Sequence, residues 1–69
     1  MTNDTYLKEM GKKIKALRKS KRITLEEMSK LSSIDMSNLW FVENGRRNAH
    51  ILTLKNIADV LQLDVKDFI

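Results

Sequence analysis

The sequence predicts an all-α fold in which five short helices form one compact domain. The chain of 69 residues contains no proline and only two glycines, Gly11 and Gly45, so the residues that usually punctuate strands and turns are nearly missing. Apolar residues instead recur at intervals of about three and four, which is the period of an amphipathic helix. The length suits one unit, so we expect residues 1–69 to form a single domain without a separate effector domain.

The first helix is expected from about Asp4 to Lys21, after a short polar arm at residues 1–5. One face of this segment is apolar, and lysines occupy the other faces. The apolar positions are Leu7, Met10, Ile14 and Leu17. This stripe should face the core.

The start of the second helix is marked by a capping box. The Thr24 hydroxyl can accept a hydrogen bond from the Glu27 amide, and the Glu27 carboxylate can accept one from the Thr24 amide. We therefore predict a short helix over about Leu25–Ser32. Ser33 and Ile34 then form a tight connection to the next element.

The third helix is expected to begin after Asp35, a good N-cap residue, and to continue up to Gly45. Leu39 and Val42 keep one of its faces apolar. A polar loop at residues 46–49 follows.

The fourth helix is predicted from a further apolar repeat, which we expect to be its buried stripe. The positions are Ile51, Leu54, Ile57, Ala58 and Leu61. Asp64 is a second N-cap candidate, and it opens a last turn or two that ends in Phe68 and Ile69. This last segment is the fifth predicted helix.

The composition excludes several classes of function. With 42% hydrophobic and 32% charged residues, the chain is typical of globular proteins rather than of disordered or membrane-spanning ones. It has no cysteine, and His50 is its only histidine, so we expect no disulfide, metal site, cofactor or enzymatic activity. No site for a small-molecule ligand is evident. The polar start of the chain lacks the apolar run of a secretory signal, which predicts a cytoplasmic protein.

The net charge of +4 is unevenly distributed. Residues 1–49 hold eleven Lys or Arg against six Asp or Glu, whereas residues 50–69 hold two against three. A one-sided basic surface attracts polyanions, with nucleic acid the usual partner and an anionic membrane surface the main rival. Charge alone leaves open a third interpretation, a solvated lysine-rich face.

The second and third predicted helices, at about residues 24–43, have the arrangement that places a helix N-terminus in the major groove of DNA. Here the chain resembles the Cro and phage-repressor (XRE) type of helix-turn-helix protein. The resemblance covers about residues 11–69 and is carried by the runs 24–29, 34–39 and 42–48, followed by Thr53, Leu54, Ile57, Ala58 and Leu61.

The resemblance implies a lambda-repressor-like fold and binding to double-stranded DNA. The run Glu-Asn-Gly-Arg-Arg-Asn at residues 43–48 is particularly similar to restriction-modification controller proteins and to small single-domain bacterial regulators. A transcriptional regulator, and in particular an autoregulating controller, is therefore the expected function.

The resemblance also assigns roles to individual side chains. It implies that Arg18 of the first helix pairs with Glu43 at the end of the third, and a charge near the core of a small domain does require such a match. It further implies a set of groups that hold DNA phosphates, at the start of the second helix and in the loop before the fourth. These are Thr24, Leu25, Arg46, Arg47, Asn48 and His50.

Base readout is expected from the exposed turns of the third helix. The candidates are Met36, Ser37, Asn38 and Phe41. Ser37 and Asn38 can form hydrogen bonds, and Met36 and Phe41 can pack on thymine methyl groups.

This helix departs from the family pattern, because apolar residues stand where the family usually has polar ones. They are Leu25, Met36, Trp40 and Phe41. Adjacent helix positions differ by about 100°, so Trp40 and Phe41 cannot both share the buried face of Leu39. We expect Phe41 on the DNA side and Trp40 partly packed beside Asn44 or the loop. The alternative is that these apolar residues form a protein-interaction surface, as in an antitoxin-like module.

Family members usually carry glycine at the positions of Arg22 and Ser33. These positions tend to need a positive φ, so the resemblance predicts left-handed backbone at both. The cost is about 1 kcal/mol each.

A homodimer is expected, because one short helix reads too few base pairs for a working operator. The near-neutral C-terminal part supplies the predicted interface, which consists of Leu52, Leu63, Val65, Phe68 and Ile69. The alternative for Phe68 is that it closes the core of the monomer. A two-fold dimer predicts an inverted-repeat operator with half-sites one helical turn apart.

Overall fold

Four α-helices and one 3-10 turn make up the part of the chain that the computed structural model describes, residues 3–68. They are α1 (Asn3–Ser20), α2 (Leu25–Ser32), α3 (Met36–Glu43), α4 (Ile51–Leu61) and the 3-10 turn (Val65–Asp67). The all-α prediction is confirmed for these residues. The predicted fifth helix is wrong in kind, because the segment after α4 forms only three residues of 3-10 helix.

Helix starts follow the capping residues that the sequence indicated. The Glu27 amide donates to Thr24 Oγ1 at 3.1 Å, and the Thr24 amide donates to Glu27 Oε1 at 3.0 Å, which completes the capping box of α2. Asp35 caps α3 by accepting from the Ser37 amide at 3.1 Å. Asp64 caps the 3-10 turn. These bonds satisfy amides that have no partner within their own helix.

A residue with left-handed backbone follows each of the four α-helices. Arg22 has φ 57° and Ser33 has φ 60°, as predicted for both positions, and Gln62 after α4 has φ 59°. Gly45 has φ 68° after α3. A Cβ at Gly45 would overlap the backbone of Lys8, so this turn lies directly against α1.

The core lies where the four helices meet. α1 packs against α3, α2 packs against both α3 and α4, and the 3-10 turn packs against α4. The buried apolar side chains are Met10, Ile14, Met28, Ile34, Leu39, Val42, Leu54, Ile57, Ala58, Leu61 and Phe68. Gly11 allows the close approach of α1 to α3, because a Cβ there would overlap the carbonyl oxygens of Val42 and Glu43.

Two side chains differ in burial from what the sequence predicted. Ile51 was expected in the buried stripe of α4, but it is the first residue of that helix and its side chain is 62% exposed. Phe68 was expected at a dimer interface but is 1% exposed within one chain. The 3-10 turn directs its ring into the core, so the alternative, closure of the monomer core, is correct.

Within residues 3–68, no helix is both long enough and apolar enough to cross a membrane.

Candidate nucleic-acid interface

A buried ion pair between α1 and α3 lies beneath the site and supports it. Arg18 Nε lies 2.7 Å from Glu43 Oε2, and Arg18 Nη2 donates to Glu43 Oε1 at 3.0 Å. Arg18 Nη1 also donates to the carbonyl oxygen of Ile23, at 2.7 Å. The predicted pair is therefore confirmed. It ties α1 to the end of α3 and to the segment before α2, and it leaves the guanidinium turned away from solvent.

Serine hydroxyls fix the turn between α2 and α3. Ser32 Oγ donates to the carbonyl oxygen of Met28 at 2.6 Å and accepts from the Ile34 amide at 3.3 Å. Ser29 Oγ donates to the carbonyl oxygen of Ile34. Because Ser33 takes the left-handed conformation at the same place, the two helices are held at a fixed angle. The start of α3 is thereby presented to solvent as in a helix-turn-helix unit.

The outward side of α3 carries an open apolar notch of about 300 Å³. We call it the apolar notch, and it is lined by Leu25, Met36, Ser37, Trp40 and Phe41. Three of the four predicted base contacts thus lie together with Leu25. Asn38 does not line the notch.

Trp40 is more exposed than we expected. It is 46% exposed, whereas Phe41 is half-buried. The side-chain amide of Asn44 donates to the carbonyl oxygen of Trp40 at 2.8 Å, so the predicted proximity to Asn44 involves the Trp40 backbone. The indole ring meets the Phe41 ring edge to face, with centroids 5.3 Å apart and planes at 85°. Trp40 therefore belongs to the same surface as the predicted base contacts.

Arg47 links the loop after α3 to the helix itself. Its guanidinium lies over the Phe41 ring, 4.7 Å from the centroid, which is within range of a cation–π interaction. Arg47 Nη1 also donates to Asn38 Oδ1 at 3.2 Å. Sequence reasoning missed both contacts. The only signal that could have suggested them is a basic loop that begins five residues after the aromatic pair.

The other predicted phosphate contacts in this loop are exposed. Arg46, Asn48 and His50 all have exposed side chains, and the Arg46 amide donates to the Phe41 carbonyl oxygen at 2.9 Å. His50 is the N-cap residue of α4 and makes no side-chain hydrogen bond to that helix. The helix dipole and the amides of the first turn favour an anion at such a position.

The start of α2 is less open to an anion. The Thr24 amide already donates to Glu27, and this hydrogen bond is the largest cause that lowers the pKa of the Glu27 carboxyl. Glu27 is therefore charged near neutral pH, at the helix end where we predicted a phosphate. The Thr24 hydroxyl accepts from the Glu27 amide, and it also helps to lower the pKa of the Glu27 carboxyl, so this side chain is already engaged with Glu27.

The predicted dimer residues do not form one exposed surface. Leu52 is 71% exposed, whereas Leu63 and Val65 are half-buried against the core. Ile69 lies outside the described residues. Ile51, which precedes Leu52, adds an exposed apolar side chain that the sequence analysis had assigned to the core.

In the described part of the chain, no group of three or more His, Asp or Glu side chains is placed to hold a metal ion.

Comparison with solved structures gives strong matches across nearly the whole chain. The restriction-modification controller protein C.AhdI from Aeromonas hydrophila has a TM-score of 0.88 at 27% identity, covering 91% of this chain and 96% of its own. An HTH_3 family transcriptional regulator from Vibrio cholerae has a TM-score of 0.89 at 27% identity. That match covers 97% of this chain but 38% of the Vibrio protein.

The DNA-binding domain of BldD shares the fold, with a TM-score of 0.84 at 22% identity, covering 100% of this chain and 99% of that domain. Comparison with curated protein sequences gives no match. The family model HTH_3, described as helix-turn-helix, matches residues 14–68. This match spans all of the elements described above except residues 3–13 of α1. The chain therefore belongs to the HTH_3 family of helix-turn-helix proteins.

Proposed function

We propose that this protein is a sequence-specific DNA-binding transcriptional regulator that binds an inverted-repeat operator as a homodimer. The observation that carries the proposal is the exposed start of α3, fixed at a set angle by the turn serines and flanked by a loop with two arginines. Membership of the HTH_3 family supports the DNA-binding role. The match to C.AhdI, which is described as a restriction-modification controller protein, supports a controller protein. We further propose that it acts on its own operator in the cytoplasm.

In the proposed complex, α3 lies in the major groove and its residues Met36, Ser37, Asn38 and Phe41 contact base edges. Phosphates on either side are held by a second set of groups, which position the helix without reading sequence. These are Thr24, Leu25, Arg46, Arg47, Asn48 and His50.

The proposed dimer places two copies of α3 about 34 Å apart on one face of the duplex. Leu52 and Ile51 would lie at the centre of the interface, because they are the exposed apolar residues of α4. The partly exposed side chains of Leu63 and Val65 would add to the proposed interface, together with Ile69. Removing the two exposed side chains from water would favour association.

The test is a selection of bound sequences from a pool of random duplexes. We expect an inverted repeat whose half-site centres are one helical turn apart. Titration of the selected duplex at two salt concentrations should show a steep loss of affinity with salt, since phosphate contacts release counterions. A bound pool with no common sequence, or affinity that does not change with salt, would contradict the proposal.

A protein-interaction module, for example an antitoxin-like one, is the second candidate. It is favoured by the apolar notch, because exposed apolar surfaces on small domains often contact other proteins. Recovery of no specific duplex by the selection would support this candidate.

A further inference from the structure

We propose that the apolar notch is a binding site for the C5-methyl group of a pyrimidine, so that this regulator reads thymine, and equally 5-methylcytosine, by apolar contact. The proposal rests on the DNA-binding function proposed above and specifies what α3 selects in the major groove.

The notch is poor in groups that could read a base edge by hydrogen bonding. Its five residues include one hydroxyl, on Ser37, and one indole N–H, on Trp40; Leu25, Met36 and Phe41 offer only apolar surface. None of the side chains that form bidentate contacts with bases lines it. Asn38, the amide closest to it in sequence, has its side-chain oxygen occupied by Arg47. The notch therefore has too few hydrogen-bonding groups to distinguish all four base pairs by a pattern of donors and acceptors.

The C5-methyl group of thymine is the one apolar substituent that an unmodified base pair presents in the major groove. Cytosine methylated at C5 presents the same group at the equivalent ring position. An open notch of about 300 Å³ has room for a methyl group and part of the ring edge beside it. When this methyl group packs on Met36 and Trp40, the apolar surface of the methyl group and that of the two side chains are both removed from water, which favours binding.

Charge at the edge of the notch favours DNA over an apolar peptide as the occupant. The Arg47 guanidinium lies over the Phe41 ring, 4.7 Å from its centroid, and the exposed Arg46 precedes it in the loop. A ligand that covers the notch must therefore present an apolar group with anionic groups close by. A thymine in a duplex does so, because phosphates line both edges of the major groove.

The aromatic side of the notch is held in place before any ligand binds. Trp40 and Phe41 are in edge-to-face contact, and the Arg47 guanidinium packs over the Phe41 ring. Fewer side chains then have to be ordered on binding. Because the entropy cost is small, the free energy gained by burying a single methyl group still contributes to affinity.

The first experiment changes the DNA and uses the operator obtained by the selection described above. Each thymine of a half-site is replaced in turn by deoxyuridine, which removes only the C5-methyl group. At one or two positions per half-site we expect an affinity loss of about fourfold, the effect of one buried methyl group. At the same positions, a 5-methylcytosine pair should bind about fourfold more tightly than an unmethylated cytosine pair.

The second experiment changes the protein. In Met36→Ala and Trp40→Ala, the ratio of thymine to deoxyuridine affinity at the sensitive positions should fall from about four to about one. Leu31→Ala is the matched control, because Leu31 is an exposed apolar residue of α2 that does not line the notch; it should keep the ratio. Thermal unfolding of each variant confirms that the domain is folded.

The outcomes separate this proposal from the function on which it rests. If the operator is bound tightly but no thymine position is sensitive to deoxyuridine, the proposed methyl-binding site is overturned. The proposed function as a regulator is then unaffected. A methyl effect that persists in both notch variants overturns the assignment to this notch. If the selection yields no specific duplex, both proposals are overturned and a protein occupant is favoured.

Discussion

At the scale of the residue, Arg18 and Glu43 illustrate why a small domain keeps a buried ion pair. Both partners are removed from water, and the guanidinium uses three donors, two for the carboxylate and one for the carbonyl oxygen of Ile23. Among the described residues, no fully buried side-chain polar atom lacks a hydrogen-bond partner. The desolvation of the pair is therefore compensated only while both partners are present.

Glu43→Ala should lower the free energy of unfolding by about 3 to 5 kcal/mol, because it leaves the Arg18 charge buried without a partner. Urea unfolding followed by circular dichroism measures the change. The control is Glu26→Ala, which breaks the exposed pair between Glu26 and Lys30 at 3.6 Å and should cost no more than about 0.5 kcal/mol. Similar losses of unfolding free energy in the two variants would contradict the prediction, because the buried pair of Arg18 and Glu43 would then matter no more than the exposed pair of Glu26 and Lys30.

The two loop arginines should differ in their effect on DNA binding. Arg46→Ala should weaken binding to all duplexes alike and reduce the salt slope by about one, as expected for a phosphate contact. Arg47→Ala should also relax sequence preference, because Arg47 holds both Asn38 and Phe41 in place. Titrations of the operator and of a scrambled duplex at several salt concentrations measure both effects. Equal losses on both duplexes in the Arg47 variant would contradict a role in positioning α3.

At the scale of the element, α2 depends on its cap. The helix has eight residues, too few to be stable in isolation, so the reciprocal bonds of Thr24 and Glu27 and its packing must hold it. The cap also makes the helix sensitive to pH. The Thr24 backbone amide, and then its side chain, lower the pKa of the Glu27 carboxyl from its ordinary value of 4.5.

Because the pKa of Glu27 is lowered by folding, its contribution to stability is present above the ordinary value and is lost as the pH falls through the folded value below it. Glu27→Gln should therefore destabilise the protein most near neutral pH, and the difference from the unmodified protein should shrink as the pH falls below 4.5. Thermal unfolding over a series of pH values measures this. Glu26→Gln is the control on the same turn, and a constant difference for Glu27→Gln across the series would contradict the prediction.

At the scale of the whole molecule, the proposed dimer depends on the exposed surface of α4. Ile51 and Leu52 are adjacent and both mostly exposed. Exposure of two large apolar side chains side by side suits a surface that is covered by a second copy.

Leu52→Glu should give a monomer that remains helical, because this side chain takes no part in the core of one chain. Tight operator binding should be lost with the dimer, since one recognition helix reads too few base pairs. Sedimentation measures the assembly, and operator titration measures the binding. Leu31→Glu, which places the same charge at an exposed apolar position on α2, should remain a dimer. A Leu52→Glu protein that still sediments as a dimer would exclude this interface.

The sequence by itself determined the features that depend on neighbours along the chain. The capping box of α2, the start of α3 after Asp35 and the helical period of α1 depend on residues within one or a few helical turns, so a short run of residues is enough to predict them. The family pattern added the pairing of Arg18 with Glu43 and the left-handed backbone at Arg22 and Ser33.

Only the tertiary structure decided which apolar side chains are covered. A periodic pattern shows that residues share a face of a helix, but burial requires a second element to lie over that face. Ile51 therefore remains exposed although it continues the stripe of α4, and Phe68 is buried because a 3-10 turn directs it inward. The contacts of Arg47 with Asn38 and Phe41 likewise depend on how the loop after α3 folds back, because residues six and nine positions apart can meet only through that path.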